Sequence, residues 1–146
     1  MLVRDVLKAK CGRIITIGPD ATAAEAVATM VENNIGSLPV VADDGRLVGV
    51  VSERDLIREL HDQGEHFWRA TMQAVMSLDP VTCDIDEDVD VVMGQMSDRR
   101  IAKVPVLDRG ALVGIVSVGD VVKQLYERTR AENGHLMDYL YGPAHA

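Results

Sequence analysis

Gly49-Val50-Val51-Ser52-Glu53-Arg54-Asp55 and Gly114-Ile115-Val116-Ser117-Val118-Gly119-Asp120 are one pattern occurring twice. Each copy runs glycine, two β-branched residues, serine and, three residues on, aspartate. The β-branched pair predicts a strand. A serine with an acidic residue three positions later predicts the start of a helix, with the side chains capping free backbone N–H groups. Working outward, each copy is preceded by a second strand interrupted by proline. These are Ile35-Gly36-Ser37-Leu38-Pro39-Val40-Val41 and Ile101-Ala102-Lys103-Val104-Pro105-Val106-Leu107. Pro39 and Pro105 lie 66 positions apart, Gly49 and Gly114 lie 65 apart, and the one-residue difference falls in the loop between strands, where length changes are tolerated. Two copies make a pseudo-symmetric pair and not a solenoid.

The other elements follow the same order in both copies. A leading helix is predicted over about Arg4 to Lys10, and a short strand over Ile14–Ile17. Thr22-Ala23-Ala24-Glu25 is a capping box. It opens a helix to about Asn33 with Ala26, Val27, Met30 and Val31 at helical spacing. Strands Leu38–Val41 and Leu47–Val51 flank the turn Asp43-Asp44-Gly45, and a helix runs from Ser52 to about His61. Gln63 to Trp68 reads as a linker. In the second copy the leading helix is Thr71–Met76 and the short strand Val81-Thr82. A helix spans about Asp88 to Arg99 with Val89, Val92, Met93 and Met96 on one face. Strands Val104–Leu107 and Leu112–Val116 surround Arg109-Gly110, and a last helix runs from Ser117 to about Arg130. The expected modules are residues 1–64 and 65–130. A tail, 131–146, is expected to be weakly helical at most; its Tyr139, Leu140 and Tyr141 either dock on a neighbour or fray.

Bulk properties exclude several classes. The chain is 146 residues, 47% hydrophobic and 26% charged, the composition of a globular domain. Each half alone would be marginal, so the halves are expected to pack together. A net charge of −8 argues against nucleic acid as a partner, since such binding rests on Lys and Arg neutralising phosphates. No apolar stretch approaches the roughly 20 residues of a membrane span, and no signal-peptide core follows Met1. A cytoplasmic protein is the expectation. Cys11 and Cys83 are not in a CxxC pair and read as reduced thiols. His61, His66, His135 and His145 are scattered and read as surface residues. Asp84, Asp86 and Asp88 alternate as in a calcium loop. However, the sixth and twelfth positions are Val89 and Gln95, where such a loop needs Gly and Glu. No metal site is expected. No phosphate-loop, dinucleotide-fingerprint or nucleophile-elbow motif is present, so no catalytic residue is assigned. Phe67-Trp68 is placed to clasp the second leading helix, with base stacking as the alternative. Met30, Met93 and Met96 read as core or dimer surface.

The Ser-x-x-Asp junctions carry two readings. One is a plain capping box, in which the serine oxygen takes backbone amides and the acid meets the positive end of the helix dipole. The other is a ligand site. A helix N-terminus offers N–H groups and positive potential to a phosphate, and a nearby aspartate accepts hydrogen bonds from ribose hydroxyls.

The ordered set, duplicated, resembles the CBS domain, the regulatory module first named for cystathionine β-synthase. The resemblance rests on Asp20-Ala21-Thr22-Ala23-Ala24-Glu25-Ala26, the Ile35–Val41 strand, Gly49–Asp55 and their second-copy partners, and covers about Arg4 to Arg130. It implies an α/β (α+β) fold of two β-α-β-β-α repeats packed with pseudo-two-fold symmetry around two clefts that hold adenosine-containing ligands. Carried over, one cleft takes the base against Thr16, Ala21, Ile35, Gly36 and Ser37, and phosphate and ribose at Lys103, Ser117 and Asp120. Gly119 there permits close backbone approach. The other takes the base near Thr82, Ile101, Ala102 and Lys103, with Ser37, Ser52, Arg54 and Asp55 toward ribose and phosphate. The Arg54 guanidinium is a fork suited to phosphate. The acidic run Asp84–Asp90 opposes a phosphate if it points inward, and is a solvated helix start if it does not.

The function implied is a non-catalytic adenine-nucleotide sensor, AMP being the leading ligand and ATP, ADP, NAD(H) or S-adenosylmethionine the others. It would act as a homodimer through exposed helices and be read by an unknown protein partner through a population shift. The rivals are an interaction protein with empty structural clefts and an enzyme related to IMP dehydrogenase, for whose catalytic barrel the chain lacks room.

Overall fold

The Thr22, Ser52 and Ser117 junctions set the positions of three long helices, and the strands fall between them. In the computed structural model, which describes residues 1–10 and 12–141, the order is α1 (Val3–Ala9), α2 (Ala23–Asn33), β1 (Ser37–Val41), β2 (Leu47–Ser52) and α3 (Glu53–Gln63). A 3-10 helix (Gly64–Arg69) follows, then α4 (Met72–Val75), β3 (Cys83–Asp84), α5 (Val89–Arg99), β4 (Lys103–Asp108), β5 (Ala111–Ser117) and α6 (Val118–Tyr141). Cys11, Gly142, Pro143 and His145 lie outside the described residues. Among the described residues no helix is long and apolar enough to cross a membrane.

The chain forms two compact units that do not follow the sequence repeat. One unit holds Arg13–Asp84 with Pro105–Gly114; the other holds, among the described residues, 1–10, 12, Ile85–Val104 and 115–141.

In the first unit, β1 and β2 pair antiparallel with Ser37 opposite Ser52 and Leu38 opposite Val51. Their connection turns on Gly45 at φ +86, with Asp44 Oδ1 accepting from the Arg46 N–H at 3.0 Å. Leu38, Val40 and Val51 from the sheet, Ala23, Ala26 and Met30 from α2, Leu56 from α3, Phe67 and Met72 make one buried cluster. Val31, expected on the same apolar face, is 74% exposed. The expected linker is ordered: Gln63–Trp68 lies largely in the 3-10 helix, whose Phe67 is buried and meets Trp68 edge-on with centroids 5.0 Å apart. The expected strand Ile14–Ile17 is reduced to a single parallel bridge, Ile17 to Val40. The second short strand is Cys83–Asp84 rather than Val81-Thr82, parallel to β4 with Cys83 opposite Val106. Pro80, with no N–H to give a ladder, precedes both positions. Gly49 is required by a close approach. A Cβ there would stand 2.8 Å from the Ser77 carbonyl oxygen, because the chain after α4 bridges back onto Val50.

The other unit buries Val3 and Val6 of α1, Val89, Val92 and Met96 of α5, and Val104, Val116 and Val121. Met93, expected on that face, is only half-buried. α1 is fastened to the start of α5 rather than to its own copy. The Val3 N–H donates to Glu87 O at 3.0 Å, Arg4 N–H to Ile85 O at 2.9 Å and Val89 N–H to Met1 O at 2.9 Å. α4 repeats this on the first copy: Met72 N–H donates to Ala21 O, Gln73 N–H to Pro19 O and Ala23 N–H to Ala70 O, at 2.7–2.9 Å. The two leading helices are thus exchanged between the copies. The final helix corrects the expectation for the tail, since α6 continues past Arg130 to Tyr141. Ala131, Glu132 and an Arg128–Glu132 ion pair at i,i+4 spacing support helix there.

Candidate functional site

Both Ser-x-x-Asp junctions fold as closed capping boxes. At the first, Ser52 Oγ accepts from the Asp55 N–H at 3.2 Å, and Asp55 Oδ2 accepts from the Ser52 N–H at 2.8 Å and from its hydroxyl at 2.9 Å. At the second, Ser117 Oγ accepts from the Asp120 N–H at 3.1 Å, and Asp120 Oδ2 accepts from the Ser117 N–H at 2.9 Å. All four residues are half-buried. In each carboxylate one oxygen, Oδ2, does this work. Oδ1 takes none of the hydrogen bonds formed among the described residues. The plain capping reading is therefore satisfied with acceptor capacity left over, since a carboxylate has about four acceptor positions.

The residues ahead of each proline strand are tied to the helix start. The Glu53 N–H donates to Gly36 O at 3.0 Å, and the Val118 N–H donates to Ala102 O at 2.9 Å. Ile35 and Ile101 are placed alike, each N–H donating at 3.0 Å to the carbonyl of Met30 or Met96. Ser37 sits opposite Ser52 in the β1–β2 register. Within its own unit the structure thus brings together Ile35, Gly36, Ser37, Ser52 and Asp55, and in the other Ile101, Ala102, Ser117 and Asp120. Gly36 lies under the Glu53 side chain, whose carboxylate oxygen a Cβ at 36 would strike. Gly119 is open, with only Ser117 Oγ, at 3.7 Å, in reach of an added Cβ. Arg54 and Lys103 are exposed, Thr16 is exposed just before the Ile17 bridge, and Ala21 and Thr82 are half-buried.

The caps differ in one respect that the sequence did not signal. Lys10, the residue closing α1, places Nζ 2.8 Å from Asp120 Oδ2 and 2.9 Å from Ile115 O. Burial raises the Asp120 pKa, but the hydrogen bonds from Lys10 and from the backbone and side chain of Ser117, with the lysine charge, outweigh it and hold the carboxyl below its ordinary value. Lysine and aspartate here are 110 residues apart in sequence, and no local pattern marks the pair.

The acidic run is placed outward. Asp84, Asp86, Asp88 and Asp90 are exposed. Asp86 pairs with Arg4, whose Nε lies 2.6 Å from Oδ1. Asp88 caps α5 by accepting from the Asp90 N–H at 2.8 Å. No cluster of metal-ligating side chains occurs among the described residues, and Cys83 is buried.

A CBS domain-containing protein of Arabidopsis thaliana, CBSX3, is 30% identical over 148 residues, spanning 96% of this chain and 72% of that protein. The crystal structure of the CBS-domain containing protein ATU1752 from Agrobacterium tumefaciens is 35% identical, with a TM-score of 0.79 over 85% of this chain and 98% of that one. The CBS domain pair of protein MJ0100, solved in complex with 5′-methylthioadenosine and S-adenosyl-L-methionine, is 30% identical, with a TM-score of 0.73 over 88% of this chain and 98% of that one. The CBS domain profile matches twice, at residues 3–62 and 72–127, and with both capping boxes and both proline strands in place the chain belongs to the CBS domain family as a tandem pair.

Proposed function

We propose that this chain is a cytoplasmic adenosyl-nucleotide sensor that regulates by binding and performs no chemistry, built from modules 1–64 and 65–130 with 131–146 as a tail. The observation that carries the reading is the doubled cap. At the start of α3 and of α6 an aspartate keeps one oxygen outside the hydrogen bonds formed among the described residues, beside a helix N-terminus, where the dipole favours an anion. A ribose diol donates two hydroxyls to such a carboxylate, and the following phosphate finds cations in the exposed Arg54 and Lys103. The adenosyl compounds held by a solved pair 30% identical to this chain support the same ligand class. Base contacts are assigned to Thr16, Ala21, Ile35, Gly36 and Ser37 for one ligand and to Thr82, Ile101 and Ala102 for the other. AMP is the leading ligand.

Calorimetric titration with AMP, ADP, ATP, NAD and S-adenosylmethionine tests this. Asp55→Ala and Asp120→Ala should each weaken one site by about 10- to 100-fold, the effect of losing hydrogen bonds to a charged acceptor. No heat and no melting shift with any of the five would overturn the reading. We assign a homodimer to the groove of about 490 Å3 between α2 and α3, where Val31 and Ile57 stand 74% and 66% exposed. Light scattering on the native protein and on Ile57→Asp checks it, the variant being expected at monomer mass.

A further inference from the structure

The two caps are chemically alike except for what approaches their carboxylates. Among the described residues Asp55 Oδ2 is held only by Ser52, from both its N–H and its hydroxyl. Asp120 Oδ2 accepts from the Ser117 N–H and from the Lys10 ammonium. The lysine is seated from two sides, since Ile115 O accepts a second of its protons at 2.9 Å. Its side chain is 39% exposed and that of Asp120 24%.

The difference is built into the repeat. α1 and α4 are equivalent by their bonds, Val3 N–H to Glu87 O matching Met72 N–H to Ala21 O. α1 runs to Ala9 with Lys10 closing it, whereas α4 ends at Val75, so the position that carries Lys10 lies beyond the end of the shorter helix. No Lys or Arg among the described residues pairs with Asp55.

A carboxylate that takes a vicinal diol uses both oxygens, one for each hydroxyl. Oδ2 accepts two hydrogen bonds in each cap, and the second donor differs: at Asp55 it is the Ser52 hydroxyl, neutral and able to rotate away, and at Asp120 it is the Lys10 ammonium, a cation held also by Ile115 O, which a diol using both oxygens must displace. We propose that Lys10 is a built-in competitor at the Asp120 cap, so that a ribose ligand binds there only by displacing the lysine and fills the Asp55 cap first. Displacement frees the residue that closes α1, and α1 is held at its other end by the start of α5. Occupancy of the Asp120 cap is in this way transmitted to the N-terminal helix, which gives the sensor a readable difference between its half-filled and filled states. The proposal rests on the ribose assignment made above.

The test is calorimetric titration of wild type, Lys10→Met and Lys10→Arg with AMP, adenosine and 2′,3′-dideoxyadenosine. Wild type should show two unequal sites. Lys10→Met should tighten the weaker site about two- to fivefold for AMP and adenosine, the range expected for removing a partly exposed ion pair. It should leave the tighter site and the dideoxy compound unchanged, and Lys10→Arg, which keeps a cation, should resemble wild type. In an Asp120→Ala background Lys10→Met should have no effect, the signature of a direct coupling. Equal melting temperatures of the ligand-free proteins to within a few degrees establish that the variants fold. An unchanged Lys10→Met titration overturns the proposal and leaves the sensor reading intact. Weaker AMP binding with unchanged adenosine binding also overturns it, making Lys10 a phosphate contact. No binding of any adenosyl compound to any variant overturns the sensor reading itself, and the competitor with it.

Discussion

Asp120 shows how one side chain is stabilised by the same neighbours that fill its acceptor positions. Its carboxyl is pushed up by burial but held below the ordinary value by Lys10 and Ser117. A carboxyl whose folded pKa lies below its unfolded one contributes stability that is present above the unfolded value of about 3.9 and is lost as the pH falls through the folded value. The stability difference between wild type and Asp120→Asn is therefore expected to be largest near neutrality and to shrink as the pH drops below about 5. Urea denaturation at pH 7, 5, 4 and 3 measures it; a difference that stays constant or grows toward acid would contradict the assignment. Lys10→Met should reduce the same slope, because the lysine supplies part of the depression.

The helix ends show which local signals a sequence can carry and which it cannot. The boxes at Thr22, Ser52 and Ser117 were legible because the chemistry is complete within four residues: the Thr22 N–H donates to Glu25 Oε2 at 2.9 Å, as the sequence required. The same holds for the Arg109-Gly110 turn, where both residues have positive φ and fit a two-residue hairpin. The short strands were less legible, since Ile17 makes one bridge and β3 two pairs, too little ladder to impose a pattern on the sequence. α2 and α5 end alike, with Asn34 at φ 52 and Arg100 at φ 55 in the left-handed region. Asparagine tolerates that conformation, while arginine pays a Cβ clash of about 1–2 kcal/mol. Arg100→Gly should thus stabilise the protein by about 0.5–1 kcal/mol, part of the relief being offset by the entropy of the glycine in the unfolded chain. Thermal melts of Arg100→Gly and Arg100→Asn check it; a lower melting temperature for both would mean the arginine side chain makes a contact worth more than the strain.

At the scale of the whole molecule, the doubling read from Gly49 and Gly114 is a repeat in sequence but not a boundary in space. The compact units each take their leading helix from the opposite copy, and the segment read as a linker carries Phe67 into the core of the first. Nothing in a pattern of local periodicities reports such an exchange, because α1 and α4 carry apolar residues at the same i,i+3 spacing, Val3 and Val6 against Met72 and Val75, whichever copy they cover. The exchange has an energetic consequence. Met72, which belongs by sequence to the second copy, is fully buried among Leu38, Val40 and Val51 of the first. Met72→Ala should cost about 2–5 kcal/mol through the cavity it leaves, and the loss should appear where the side chain packs. Amide hydrogen exchange is expected to accelerate in β1 and β2 more than in α5, the next long element of its own copy. Val6→Ala should do the reverse, loosening α5 and α6 while β1 and β2 keep their protection. Equal loss throughout for both variants would indicate a single cooperative unit, and loss confined to each helix's own copy would contradict the exchange.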